Sequence, residues 1–445
     1  MFEILKLNIA KKQNIILSLF FFTGSFAVSE RLNGMLPFTS IPVVILTTAL
    51  SAIYLMTYLV KTKNILLNEF EKKIICLFML PIIFSIIVMI ITAFIKNRAE
   101  YWDFLRYDFP GRFILIIANI TILIGLLSLT RNWSKNEIIN LIRKYYYGLL
   151  IFPIVGLWQF LNFTFNFPMF ELHTRTHLHG LSTSNALAVG RLTSFADEPS
   201  FLAPLLIDLM IFAILVSKKP FKVIALSLFV LIFSYSAGGY LNLLIVGCAL
   251  LVGYLRFKKE KITLNRQQRF NVAIALVIFL STLIVLHESI FQILYPVIGR
   301  FGSIFDLERH MRIYMTVMPF IWVTQGSFIN CLFGFGPKSY AFLRRTRVLP
   351  TGASVHITSN NFLVDTVFEL GYIGFFSYIV IFIRFFVVSF KNLQNNKYYL
   401  SSLILSTHLF ASSIYRADFM QPRFWIIFFV IFKLVEMGKE ETPQI

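Results

Sequence analysis

Successive apolar stretches, each close to the roughly 20 residues a helix needs to cross the hydrocarbon core of a bilayer, constrain this chain more than any other feature. They lie near 14–29, 39–60, 74–95, 113–130, 145–166, 201–217, 223–237, 240–255, 270–287, 362–390, 400–415 and 424–437, about twelve in all. With 57% hydrophobic residues, only 14% charged and a mean hydropathy of +0.74, the composition excludes a soluble globule. The expected fold is an all-α polytopic integral membrane protein, with 1–445 forming a single integral membrane domain.

Basic residues orient the spans. Lys61, Lys63, Lys72, Lys73, Arg131, Lys135, Arg143, Lys144, Lys218, Lys219, Lys222, Arg256, Lys258, Lys259, Lys261, Arg266 and Arg269 fall in short loops on the side of the N-terminus. The excess of Lys and Arg on cytoplasmic loops then puts both termini in the cytoplasm. The net charge of +19 is spread over these loops rather than gathered into one basic domain, so no nucleic-acid partner is expected. The first span follows Lys6, Lys11 and Lys12 and ends in Ala27-Val28-Ser29, as a signal peptide does. Apolar spans continue directly behind it, so it reads as an uncleaved anchor. Cys76 and Cys248 fall in spans and Cys331 is alone in an outer loop, so no disulfide framework is expected.

The opposite side carries arginine rather than lysine: Arg31, Arg98, Arg106, Arg112, Arg175, Arg191, Arg300, Arg309, Arg312, Arg344, Arg345, Arg347, Arg416 and Arg423, with Lys96 and Lys338 the exceptions. Orientation does not call for arginine there. Guanidinium keeps its charge and grips phosphate through two parallel hydrogen bonds, so the set points to a phosphorylated or pyrophosphorylated ligand at the outer leaflet. For any single arginine the alternative is pairing with an outer acid or a lipid headgroup.

Two outer loops are long, 167–200 and 288–361, and loops of that length are functional or folded. The first holds Gly190-Arg191 and the Ala-Asp197-Glu198-Pro199-Ser200 segment. The second has amphipathic pieces at 304–322 and 336–348, which read as helices along the outer interface, and a turn at Gly334-Phe335-Gly336-Pro337. It runs into the tenth span, where helical spacing stacks Asn361, Asp365 and Glu369 on one face below His356. Ionisable groups entering a membrane are functional candidates. The competing reading is architectural: Asn361 an N-cap, Glu369 paired to an arginine, Gly371 and Gly374 allowing close helix contact. Asp208, mid-span, faces a cavity or pairs across helices, and Arg384 snorkels.

Taken together, the EPS-containing segment with Arg191, the Arg309-x-x-Arg312-x-Tyr314 run, the Gly334-x-Gly336 turn, and His356 followed by Asn360, Asn361, Glu369 and Gly371 resemble the O-antigen polymerase and ligase superfamily. The resemblance covers the chain from the fifth span onward, and the Asp197-Glu198-Pro199-Ser200 version is more similar to polymerases. It implies an inverting, metal-independent glycosyltransferase of the bacterial inner membrane, facing the periplasm, with loops 167–200 and 288–361 periplasmic. Its substrates would be undecaprenyl-diphosphate-linked oligosaccharide repeat units, with no cofactor, and its partners membrane lipids and a chain-length regulator. By the family pattern Arg191 and Arg312 clamp the pyrophosphate, and Arg300, Arg309 and Arg345 are further candidates for binding it. Asn361 and Glu369 complete the substrate-binding set. Either His356, whose ordinary pKa of about 6.5 suits a base near neutral pH, or Glu198 deprotonates the acceptor hydroxyl.

Other readings stand beside this one. Glu171, His173, His177 and His179 have a spacing that would hold zinc, without a supporting helix or Cys pair. Tyr101, Trp102, Tyr107, Trp322 and Tyr340 either stack on sugars or form an interfacial belt. The rival functions are a ligase that moves finished glycan to lipid A-core, and a flippase or transporter, which would place its charges around a midplane cavity.

Overall fold

The computed structural model describes residues 15–34, 41–63, 65–170, 191–257, 311–340, 359, 361–394, 396–415 and 419–441. Among the described residues the regular elements are all helical. Besides the single turn Glu30–Asn33 they are, in chain order, α1 (Ile15–Val28), α2 (Val43–Thr62), α3 (Glu69–Lys96), α4 (Ala99–Leu129), α5 (Lys135–Phe165), α6 (Pro199–Val216), α7 (Pro220–Phe233) and α8 (Ala237–Phe257). Then come α9 (Met311–Thr324), α10 (Phe328–Phe333), α11 (Phe362–Lys391), α12 (Lys397–Tyr415) and α13 (Pro422–Glu441). The stretch 270–287, expected as the ninth span, lies outside the described residues.

Seven of these helices, α2 to α6, α8 and α11, are long and apolar enough to cross a membrane. Their boundaries follow from local chemistry. Asn68 with Glu71 and Ser134 with Glu137 form capping boxes at the starts of α3 and α5. Pro199 and Pro220 occupy the first turns of α6 and α7, where a missing N–H costs nothing. Left-handed Lys63, Asn97 and Asn166 close α2, α3 and α5.

The less apolar helices α12 and α13 are sheathed by protein instead of lipid. From Arg423 to Val435 every residue of α13 is buried, which explains why it tolerates Arg423 and Lys433. Buried Ser406, Thr407 and Ser413 of α12 turn their hydroxyls back onto carbonyls of their own helix, at 2.7 to 2.8 Å for their shortest bonds. Ser402 also bonds Ser389 of α11 at 2.8 Å. Small hydroxyl residues let these helices pack closely without unsatisfied groups. By contrast α2, α3 and α8 present large exposed apolar side chains, such as Ile53, Phe94 and Leu244, on the outside of the bundle.

α12 packs on α8, α11 and α13, and α6 on α5 and α7. Gly238 and Gly253 of α8 meet Tyr415 and Leu400 at opposite ends of α12, Gly239 meets Ala203 near the start of α6, and Phe362 meets Phe424 near the start of α13, so the ends sort into two sets. At one end, charged residues tie α3, α4 and α13. Arg131 lies 2.7 Å from Glu436 and 3.7 Å from Glu71, and Lys433 bonds Glu436 at 2.7 Å and the Thr130 carbonyl at 3.3 Å. The lysine-rich turns after α2, α4 and α6 lie at this end. The starts of α6, α8, α11 and α13 lie at the other, with Arg112, Arg191 and Glu369.

α11 is broken inside its span. Gly371 has φ +68°, in the left-handed region, and the helix changes direction there. The break frees carbonyls that the surroundings take up: Phe335 N–H donates to Phe368 O at 3.1 Å, Gly336 N–H to Glu369 O at 2.9 Å, and Ser85 Oγ to Glu369 O at 2.6 Å. Backbone approaches backbone so closely that a Cβ at Gly371 would run into Leu332 and Phe333, and one at Gly334 into Glu369 and Leu370. The α9–α10 region is thus docked against α11, α10 also touching α3, rather than lying only along the interface. Gly374 faces Leu370 of its own helix across the kink, not a neighbouring helix.

Gly371→Ala combines left-handed strain with a backbone collision and is expected to destabilise by at least about 1–3 kcal/mol. Gly247→Ala, whose Cβ meets nothing, is expected to be neutral or stabilising. Thermal unfolding of both variants in detergent checks this, and equal melting temperatures would contradict the account of the break.

Candidate functional site

The segment 191–198 is irregular backbone folded into the bundle, which is tolerated at membrane depth only when protein satisfies its polar groups. Gln159 of α5, itself buried, does so: its Oε1 accepts from Thr193 N–H at 2.9 Å and Ser194 N–H at 2.8 Å, and its Nε2 donates to Thr193 Oγ1 at 3.2 Å. Ser194, left-handed at φ +55°, donates from Oγ to Phe152 O at 2.6 Å. Leu192 N–H donates to Phe233 O and Asp197 N–H to Val28 O, both at 3.0 Å, tying the segment to α7 and α1.

This scaffold places Arg191, half-buried, against the end of α7. Its Nε donates to Ser234 O at 3.4 Å and its Nη2 to Tyr235 O at 3.3 Å, where the helix dipole favours a cation. Glu198 is the N-cap of α6 and accepts from Ser200 Oγ at 3.0 Å. At the head of α11, Asn361 Oδ1 accepts from Leu363 N–H at 3.1 Å and Val364 N–H at 3.3 Å, so this side chain is the N-cap. Asp365 Oδ1 accepts from the Ser359 amide at 2.9 Å and hydroxyl at 2.6 Å. Asn361, Asp365 and Glu369 do line one buried face, as their spacing predicts.

Glu369 faces Arg112 of α4, which follows the π-helical turn Phe104–Asp108, a distortion common beside functional sites. Arg112 Nη2 lies 3.6 Å from Glu369 Oε2, beyond hydrogen-bond length, and the guanidinium carbon sits 4.8 Å over the ring of Phe419. Arg112 Nε is buried and has no hydrogen-bond partner, a state that costs about 1–3 kcal/mol. The Lys338 amide also faces the Glu369 carboxylate, and the Lys338 ammonium lies 3.5 Å from Asp108. In the sequence Arg112 is one of many outer arginines. Its pairing to Glu369 joins α4 to α11, and no local pattern marks it.

Below these groups a buried polar network links α5, α6, α8, α12 and α13. Arg423 grips both oxygens of Asp208, Nε to Oδ2 at 2.6 Å and Nη2 to Oδ1 at 3.1 Å. His408 Nε2 is 2.8 Å from Asp208 Oδ1, Tyr145 OH donates to Asp208 Oδ2 at 3.1 Å, and Asn242 joins His408 Nδ1 at 3.1 Å to Tyr415 OH at 3.2 Å. Asp208 therefore pairs across helices rather than facing a cavity. Arg423, expected in an outer loop, is buried in α13.

Of the other expected residues, Arg312 is in α9. Arg300, Arg309, Arg345 and His356, and the histidines of the zinc reading, lie outside the described residues. Among the described residues no cluster of His, Cys, Asp and Glu is arranged to hold a metal. Trp322 and Tyr340 are buried with Met315 and Phe368 under the α9–α11 contact, which removes them as sugar-stacking surfaces. Tyr107 stays 72% exposed.

Asp208→Asn and Arg423→Gln are each expected to cost about 3–5 kcal/mol, because each leaves a buried partner uncompensated. The double variant should lose less than the sum. Thermal unfolding of all three measures the coupling, and strict additivity would show that the pair does not act as a unit. The chain matches no known protein-family model, and no curated protein matches it.

Proposed function

We propose that this chain is an O-antigen polymerase of the bacterial inner membrane, with about twelve spans, both termini cytoplasmic and its active site open to the periplasm. The observation that carries the reading is the segment 191–198. It is irregular backbone built into the end of the bundle opposite the lysine-rich turns, it presents Arg191 and Glu198 there, and it runs into α6 through the polymerase-like Asp197-Glu198-Pro199-Ser200 sequence. A second support is that Arg112 and Glu369 enter at the same end.

In this reading the growing glycan sits on undecaprenyl diphosphate as donor. A hydroxyl of an undecaprenyl-diphosphate-linked repeat unit attacks the donor's anomeric carbon with inversion. The bond from that carbon to the diphosphate oxygen breaks, undecaprenyl diphosphate leaves, and the hydroxyl proton passes to His356 or Glu198. Arg191 and Arg312, with Arg300, Arg309 and Arg345, neutralise the charge that develops on the leaving diphosphate. Neither task requires a metal ion.

A lipopolysaccharide gel of a deletion strain, with and without the chain restored, tests the function. A ladder that collapses to core plus a single repeat and recovers on complementation is the expected result. Core alone, with long glycan accumulating on undecaprenyl diphosphate, would make the protein the ligase, and loss of all periplasmic glycan would make it a flippase. Arg191→Ala and Arg312→Ala should abolish the ladder at unchanged protein level in the membrane, and Lys at either position should restore it poorly, because a point charge cannot make the forked contact. Full ladders from both Lys variants would remove these arginines as clamps.

A further inference from the structure

Arg423 and Arg112 each bring Nη2 toward a neighbouring carboxylate, yet they differ in how far the guanidinium is used. In Arg423 both nitrogens are bonded to Asp208, at 2.6 and 3.1 Å. In Arg112 the Glu369 carboxylate comes no closer than 3.6 Å to Nη2, and Nε has no partner. A structural ion pair with room to close would be expected to close. Glu369 is held back because its own segment is fixed from three sides, by Ser85, by Gly336 and by the turn at Gly371. The side chain of Arg112 remains 22% exposed at the end of the bundle that holds Arg191, whereas that of Arg423 is 2% exposed. Guanidinium edges of this shape match the oxygens of a phosphate or diphosphate.

We propose that Arg112 is an oxyanion-binding residue, which takes a phosphate oxygen pair on its Nε–Nη2 edge after a small swing away from Glu369. Glu369 is then the counter-ion that keeps the guanidinium in place while the site is unliganded, and the Phe419 ring is the surface on which it turns. Lys338 and Asp108 are paired at 3.5 Å, and the buried carboxylate of Asp365, which accepts from Ser359, lies one turn from Glu369 on α11. Nothing covalent is involved. The ligand is a phosphate or diphosphate ester, and its identification with the lipid diphosphate of the substrate rests on the polymerase reading above. The other source of the same chemistry is the phosphate of an anionic bilayer lipid.

The test is binding to the purified full chain in nanodiscs, with inorganic pyrophosphate, farnesyl diphosphate and phosphatidylglycerol as separate probes. Arg112→Gln should abolish binding of the diphosphate probes, and Arg112→Lys should weaken it about tenfold, since the fork is lost while the charge stays. Glu369→Gln should tighten it severalfold by removing the competing carboxylate. A merely structural pair predicts the opposite pattern, in which Arg112→Gln and Glu369→Gln lower the melting temperature alike and leave affinity unchanged. If Arg112→Gln fails to fold, Arg112→Lys and Glu369→Gln still decide. Equal affinity in wild type, Arg112→Lys and Glu369→Gln would overturn the proposal. Arg112-dependent binding of phosphatidylglycerol but not of either diphosphate would overturn the diphosphate assignment and leave a lipid-headgroup site. The ladder assay is separate, so failure of the polymerase reading would not alter the binding result.

Discussion

The break in α11 organises the end of the bundle that carries the polar groups. A helix interrupted in a membrane exposes carbonyls that lipid cannot satisfy. Here the amides of Phe335 and Gly336 and the hydroxyl of Ser85 take the carbonyls of Phe368 and Glu369. One interruption therefore fixes the α9–α10 region, closes it against α3 and α11, and sets the height of Glu369. Gly334 and Gly371 are required because the two backbones meet with no space for a Cβ on either side. Arg112 reaches Glu369 only because that interlock holds the carboxylate at its level.

Irregular backbone enters the protein a second time at 191–198, and the solution is chemically different. There a single buried side chain, Gln159, satisfies consecutive amides. Its reach from α5 lets Arg191 lie across the end of α7 and places Glu198 at the start of α6. Deeper still, Asp208 and Arg423 meet with His408, Asn242 and Tyr145 between the helices. The network fixes the start of α13, and with it Phe419 and Phe424, whose rings pack on Phe362 at the head of α11. The buried pair and the half-engaged pair are thus connected by an aromatic layer, rigid below and open above.

Charge is distributed accordingly. Lysines and the Arg131–Glu436–Lys433 cluster hold the end rich in basic turns, where ion pairs bind helix ends together. At the opposite end, Arg191 donates to the carbonyls of Ser234 and Tyr235, and Arg112 lies over the Phe419 ring with its Nη2 3.6 Å from Glu369. Asn361, by contrast, is spent on capping α11 and Asp365 on Ser359, so the stripe in that helix is partly architectural.

The sequence by itself determined that the chain forms helices, several of them long and apolar enough to cross a membrane. Apolar length does not depend on partners, and the observed helices fall on all the expected stretches among the described residues. It also marked the cap at Asn361, the glycine turn at 334–337 and the oddity of Asp208 within a span, because local rules govern each. Only the tertiary structure decided who meets whom. That Asp208 takes Arg423 and His408, separated from it by some two hundred residues, and that Glu369 takes Arg112 rather than a loop arginine, are facts of helix order in space. The same holds for Trp322 and Tyr340, aromatic enough to face sugar or lipid, yet buried because the break in α11 draws their region inward. Pair geometry at hydrogen-bond scale, 2.6 Å in one arginine and 3.6 Å in the other, depends on which backbone each carboxylate is anchored to, and no linear pattern encodes that.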